Sequence, residues 1–487
     1  MSFGEGNQSI IFEDRSRPHA CSAPVRHGSA LLWTTCQTLR KYTGKSEPRS
    51  AHFAHLAHLA HRNRAANTRR APHRGTGSAP PSSFSPPPNE APLQRRQGLR
   101  RIPAPNSPRI CLTCSVTIRG GLPSPQPVYL KTDSEDFYPF SDTGVMEFSS
   151  GGTLQLSCPA GFNTHSDTLL TATCVSGTTF SVGGTNYEFK DLYCKSWPGF
   201  KAVKSGATCN GGVVIRVGFE ITSSRFAEQM QICFNEEEEV TRYTRHTLEP
   251  GSNYYETGVA RITFQTAGFF GGKNVDKLYT QATQLETINN DLGGDAAKYF
   301  DSASNVYLAR GHLGAKADFD YAPEQRATFL FINAAPQWQT FNAGNWARVE
   351  DGLRAWVSKN KLNVNCYTGV YGVTTLPNVN GVETPLYLAK DSNNNGLIPV
   401  PKLYFRVVIE PTSHKGIVFV GVNNPHLTEE QIKRDYVICT DVSDQVTYIN
   451  WKTTDIKAGW SYACEVADFL KTVKTLPALT AKGGLLV

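Results

Sequence analysis

The stretch Val306–Trp356 constrains this chain more than any other. Trp346, Val349, Leu353, Trp356 and Val357 recur at the spacing of one helix face. Glu350 and Arg354 stand four apart on the flank of that face. Upstream, Asn305–Ala309 reads as a strand whose end carries Arg310-Gly311-His312. Ala327–Ala334 (ATFLFINA) is almost continuously apolar and reads as a second strand, buried on both faces and ended by Pro336. Asn342-Ala343-Gly344 marks the helix entrance. The expected unit is strand, strand, helix, with a histidine on the first strand and an asparagine before the helix.

Those residue types suit phosphodiester hydrolysis. A histidine takes a proton from water near neutral pH. A divalent ion neutralises charge growing on the scissile phosphate. Mg²⁺ keeps several waters, so one asparagine oxygen is enough to anchor it. An arginine holds phosphoryl oxygens in its planar fork.

The net charge invites a nucleic-acid reading, but its distribution undercuts that. The net charge is +7, but residues 1–110 carry 17 Lys+Arg against 5 Asp+Glu, and the remainder carries 32 against 37. Any phosphate-binding surface on the body is therefore a local cluster and not a global field. Residues 1–110 are rich in Arg, His, Ala, Ser and Pro and read as a disordered tract. His52, His55, His58 and His61 recur every third position there, a low-complexity repeat with metal-binding chemistry as the sharper alternative.

Twelve cysteines are present. Cys158, Cys174, Cys194, Cys209, Cys233, Cys366, Cys439 and Cys464 lie at wide, irregular spacings, which favours disulfides in an oxidising compartment over a zinc cluster. Cys111-x-x-Cys114 has metal or redox spacing but stands alone in a Pro-rich context. No apolar run of about 18 residues is long enough to cross a membrane, so no membrane partner is expected. The first residues lack the apolar core of a secretory signal. Residues 1–110 are accordingly read as an atypical leader or a misassigned gene start.

Residues 125–205 read as a small all-β module. Val145–Phe148, Thr153–Ser157, Leu170–Cys174 and Thr185–Phe189 are strand-like runs between glycine turns. Cys158, Cys174 and Cys194 are expected to pin it, with Cys209 as the fourth member. From 210 to 475 the chain reads as one α+β domain. Gly212–Ile221 is a strand, Lys277–Leu292 a helix, and Glu236–Glu239 a solvated loop.

The core stretch resembles the DNA/RNA non-specific endonuclease family, the ββα-metal (His-Me finger) nucleases. The family pattern D-R-G-H, N-x-x-P-Q, N-x-G-x-W-x-x-L-E-D-x-x-R appears here as Ala309-Arg310-Gly311-His312, Asn333-Ala-Ala-Pro336-Gln337 and Asn342-Ala-Gly344-Asn-Trp346, then Glu350-Asp351 and Arg354. Val400–Val408 and Tyr436–Val442 look like further family segments. The upstream module and the cysteine-rich layout are most similar to secreted arthropod nucleases acting on double-stranded nucleic acid. The resemblance implies a ββα-metal core with a mixed or antiparallel sheet. It also implies a secreted enzyme that cleaves DNA and/or RNA to 5′-phosphate products with one Mg²⁺, Mn²⁺ or another divalent ion being tolerated. His312 is then the general base, Asn342 the direct metal ligand and Glu350 a ligand through water. Arg354 steadies the phosphate in the transition state, Arg310 binds phosphate or shapes the site, and Asn333 and Gln337 support them. Ala309 departs from the family aspartate, which motivates the alternative of a nucleic-acid-binding homologue with weak or no turnover.

Overall fold

The structure, a computed structural model, describes residues 113–487. The expectations for residues 1–110, and Cys111 itself, lie outside the described residues. The small β module is a five-stranded antiparallel sheet ordered Val128–Leu130, Thr153–Ser157, Leu169–Ser176, Thr179–Val182 and Thr185–Glu188. A second pair, Cys114–Thr117 with Val145–Phe148, closes over it. Gly183 and Gly184 both take positive φ, as the two-residue hairpin between Val182 and Thr185 demands.

The cysteine pairing differs from the expected set. Disulfides join Cys114 to Cys174 and Cys158 to Cys194 in the module, and Cys209 to Cys233 and Cys439 to Cys464 in the larger domain. Cys114, not Cys209, is the module's fourth member. Cys366 is a buried free thiol in the sheet core. Spacing could not separate it from the bridged cysteines, because pairing is set by which strands meet.

The larger domain is built on an eight-stranded antiparallel sheet. Its order is Ser461–Cys464, Lys415–Val422, Pro401–Glu410, Val364–Val373, Val240–Leu248, Arg225–Asn235, Gly212–Thr222 and Lys201–Cys209. Pro401–Glu410 is buried on both sides. Leu403, Phe405 and Val407 pack towards Tyr462 and Phe469, while Val408 joins the opposite cluster. That opposite cluster receives the site helix, Ala347–Lys359, through Val349, Leu353 and Val357. Burying each such side chain contributes roughly 1.5–3 kcal/mol, so the helix is fixed by its face and needs no side-chain cap. Trp356 is the exception on the expected face: it is half-buried and stacks on Tyr448 at 4.5 Å.

Several local expectations shift. The first site strand is Leu308–His312, and Asn305 instead occupies a turn with φ +58°. Ala327–Ala334 is not a strand. Ala322–Ala327 is helical, Phe331–Asn333 forms a single 3₁₀ turn, and the second strand is Ala334–Trp338 with Pro336 in its middle. Phe329, Leu330, Phe331 and Ile332 are all buried, and a short continuous apolar run does not distinguish strand from buried turn. Pro336 is tolerated because the hairpin has only two strands. The helix over 277–292 is broken into Val275–Leu278 and Gln281–Asp291, with Thr280 capping the second. In the acidic run, Glu239 is buried and pairs with Lys273 at 2.7 Å.

Candidate active site

Leu308–His312 and Ala334–Trp338 form an antiparallel hairpin in which Gly311 faces Ala335. A Cβ on Gly311 would lie 2.3 Å from Gln337 Oε1 and 2.8 Å from Tyr404 Oη, so only glycine fits between them. Tyr404 Oη in turn donates to the Ala335 carbonyl at 2.8 Å. Asn333 locks the turn that follows His312. Its Oδ1 accepts from Gly314 N at 2.8 Å and Thr244 Oγ1 at 3.1 Å, and its Nδ2 donates to the carbonyls of Gly314 and Thr328 at 2.9 and 3.0 Å. Gln337 is fully buried, and neither end of its carboxamide has a hydrogen-bond partner.

His312 is the last residue of its strand. Its ring lies between Phe264, at 5.0 Å, and Phe329, at 5.1 Å. Its Nε2 is buried with no hydrogen-bond partner. Burial, then Arg261 and Lys316, push the imidazole down to about 3, against an opposite pull from Asp318. The ring is therefore neutral, the form that accepts a proton.

Beside it lies a cleft of about 580 Å³, lined by Arg261, Phe264, Tyr279, Ala309, Arg310 and Asn342 among others. Phe264 and Arg261 belong both to the cleft wall and to the surroundings of His312. Arg310 reaches Asp276 Oδ1 at 2.7 Å and the Asp276 carbonyl at 3.1 Å, with its guanidinium 5.3 Å over Tyr279. Asn342 donates from Nδ2 to Gln339 Oε1 at 3.1 Å, which leaves Oδ1 as its free acceptor. The chain then kinks at Gly344, where a Cβ would meet the Ala458 carbonyl at 2.5 Å. Buried Asn345 fastens this kink to the segment 452–459 through the carbonyls of Lys452 and Gly459, both at 2.7 Å.

Glu350 sits in the first turn of the site helix. The residue is half-buried, and its carboxyl lies near Arg406, Asp318 and Arg354. Burial pushes it up to about 7, with Asp318 adding to the rise and Arg406 and Arg354 opposing it. Arg354, four residues on, does not pair with Glu350. It is buried and donates to Asp318 Oδ1 at 2.7 Å, and it also bonds Asp351. Asp318 Oδ2 accepts from Arg406 Nη2 at 2.7 Å and from His246 Nε2 at 2.9 Å. Burial alone would raise the Asp318 carboxyl, but Arg406, His246 and Arg354 hold it well below the usual carboxylate range.

Sequence reading missed Arg261, Phe264, Lys316, Asp318, His246 and Arg406. Arg261 and Phe264 lie in a loop with no periodicity to single them out. Arg406 stands within a recognised strand, but nothing local marks an arginine that will be fully buried. Among the described residues, no three His, Cys, Asp or Glu side chains converge as a closed metal cage. The oxygen donors present, the Asn342 carboxamide and the Glu350 carboxyl, suit a hard cation that retains water.

Strand hairpin, kink and helix together define a ββα nuclease core. Residues 210–469 match the DNA/RNA non-specific endonuclease family, and the chain belongs to it. It is 30% identical over 358 residues to a salivary endonuclease of Lutzomyia longipalpis, covering 72% of this chain and 81% of that one. It is 22% identical over 389 residues to the salivary protein Tsal2A of Glossina morsitans morsitans, covering 78% and 96%. A chain from the crystal structure of the EndoG/EndoGI complex is 18% identical, with 42% of this chain and 80% of that one covered and a TM-score of 0.26, a likeness too slight to build on. The family is one of metal-dependent nucleases, and this chain is a non-specific nuclease that hydrolyses nucleic acids.

Proposed function

We propose that this protein is a secreted, Mg²⁺-dependent endonuclease cleaving DNA and/or RNA, double-stranded by preference, to 5′-phosphate products. The observation that carries the reading is the unpartnered His312 Nε2 beside a cleft walled by Arg261, Arg310 and Asn342. His312 takes the proton from the attacking water. Asn342 Oδ1 would hold the ion directly and Glu350 through water. When bound, the ion supplies positive charge at the scissile phosphate. Arg310 and Arg261 hold phosphate in the cleft. Arg354, kept in place by Asp318, adds positive charge behind it. Asn333 and Gln337 keep the His312 turn in register. The four disulfides and the salivary relatives support secretion.

Ala309 lines the cleft where the family carries aspartate, and this favours a second reading, binding without turnover. One experiment separates the two. Single- and double-stranded DNA and RNA are incubated with the protein, with and without Mg²⁺, alongside His312→Ala. Cleavage that stops on chelation and falls on the order of 10³-fold in the variant is expected. A gel shift without cleavage in Mg²⁺ supports the second reading, and full activity of His312→Ala rules out the first.

A further inference from the structure

Gln339 lines the catalytic cleft together with Ala309, Arg310 and Asn342. It is the first residue after the hairpin's second strand and opens the short turn Gln339–Phe341. Its backbone is firmly held. Gln339 N donates to the Tyr307 carbonyl at 2.9 Å, one step beyond the Leu308–Trp338 pair. Just before it, Trp338 N donates to Asn423 Oδ1 at 2.9 Å. Asn423 is fully buried, and its Nδ2 donates to the carbonyls of Pro336 and Pro401 at 3.0 and 2.9 Å. The strand end that carries Gln339 is therefore pinned to Pro401–Glu410 in the large sheet.

Asn342 follows three residues later and is tied to Gln339 twice. Its backbone N–H donates to the Gln339 carbonyl, and its side-chain Nδ2 donates to Gln339 Oε1 at 3.1 Å. The second bond has a chemical consequence. A carboxamide carries an acceptor at one end and two donors at the other, and its terminal torsion is roughly two-fold. Only one of the two orientations offers oxygen to a cation. Donation to Gln339 commits Nδ2 and leaves Oδ1 as the atom still free to coordinate. Ala309, in the same cleft wall, has only a methyl group and accepts nothing. Among the described residues, Gln339 Oε1 is the one acceptor for Asn342 Nδ2.

We propose that Gln339 is a positioning residue for the ion: by accepting from Asn342 Nδ2 it holds Asn342 Oδ1 ready for the metal. The inference rests on the reading of Asn342 as the direct ligand. Gln339 acts only through Asn342, on an anchored strand end that keeps its own acceptor in place. Its loss should therefore appear as weaker metal binding and not as a slower chemical step once the metal is bound.

The test uses the full chain without nucleic acid and Mn²⁺ as the probe, with bound ion read from the loss of the free-ion electron paramagnetic resonance signal. Gln339→Met removes the acceptor at similar length and should weaken Mn²⁺ binding about tenfold. Gln339→Glu keeps an acceptor there and should bind at least as tightly as the parent. Activity supplies a second readout. Turnover of Gln339→Met should be low at limiting Mg²⁺ and return close to the parent value at saturating Mg²⁺, with KM for a defined duplex unchanged. A merely structural role would not give that split. If Gln339→Met does not fold, Gln339→Ala carries the same expectations. Asn342→Ala keeps the two claims apart. Parent-like Mn²⁺ binding by Asn342→Ala overturns the ligand reading and the positioning role with it. Weak binding by Asn342→Ala beside parent-like binding by Gln339→Met overturns the positioning role alone. So does an equal loss in Gln339→Met and Gln339→Glu, because the acceptor is then not what matters.

Discussion

Two histidines, His246 buried and His312 half-buried, lie in neighbouring regions of this molecule and have opposite surroundings. His246, in the large sheet, meets Asp318 at 2.9 Å, and Asp318 also receives Arg406 and Arg354. His312, at the end of the site hairpin, has aromatic neighbours and an Nε2 with no partner. Both imidazoles are shifted down, chiefly by burial. The difference lies in what each ring is free to do. A satisfied network fixes geometry, while an unsatisfied acceptor beside a cleft is available to a substrate. Chemistry is expected at His312, and support for Arg354 at the His246 end.

The contrast can be broken most sharply at His312. His312→Ala should lose activity on the order of 10³-fold while the melting temperature at neutral pH falls by only a few degrees. Its pH dependence of stability adds a second readout. The folded-state imidazole is shifted down to about 3, so its contribution is fully present above the ordinary histidine value of about 6.5 and is lost as pH falls towards 3. Melting curves of His312→Ala should therefore show a shallower acid decline than the parent over that window. An identical decline would mean that the ring is not held neutral.

Asp318→Asn attacks the other region. It leaves Arg406 buried without its counter-charge and Arg354 with only the exposed Asp351, and roughly 3–5 kcal/mol of stability should be lost. Activity should fall with it, because Arg354 loses its anchor. Denaturant unfolding that shows less than about 1 kcal/mol of change would remove the distinction drawn between the two regions.

Gly311→Ala is expected to have a smaller effect. The added methyl meets Gln337 and Tyr404, costing about 1–3 kcal/mol, and it displaces the strand end that carries His312. Activity should drop about 10- to 100-fold, measurable as kcat/KM on a defined duplex. Arg310→Ala should cost the least stability, under about 1 kcal/mol, since its partner Asp276 is 53% exposed. A rise in KM of about tenfold with little change in kcat is expected if Arg310 holds phosphate mainly in the ground state.

Much of the site could be read before any fold was known, and the reasons are local. Gly311 and Gly344 mark close approaches that only glycine allows. The spacing of Val349, Leu353 and Val357 fixed the helix face that reaches the sheet. The hairpin's second strand is not legible in the sequence, because burial of Phe329–Ile332 looks the same in a turn as in a strand. The spacing of Glu350 and Arg354 places them on one helix flank but does not show that Arg354 is drawn inwards by Asp318. The roles proposed for these side chains rest on family pattern and geometry together.

The sequence by itself determined the order of chemical groups, His312 before Asn342 before Glu350 and Arg354, and the turns and helix face that space them. Only the tertiary structure decided the cysteine partners, the neutral state of the His312 ring, and the meeting of His246, Asp318 and Arg406 from separate strands and loops. Periodicity reports which face of an element is buried. Desolvation and charge pairing depend on what lies opposite that face, and in this chain the opposing groups come from residues far apart in sequence.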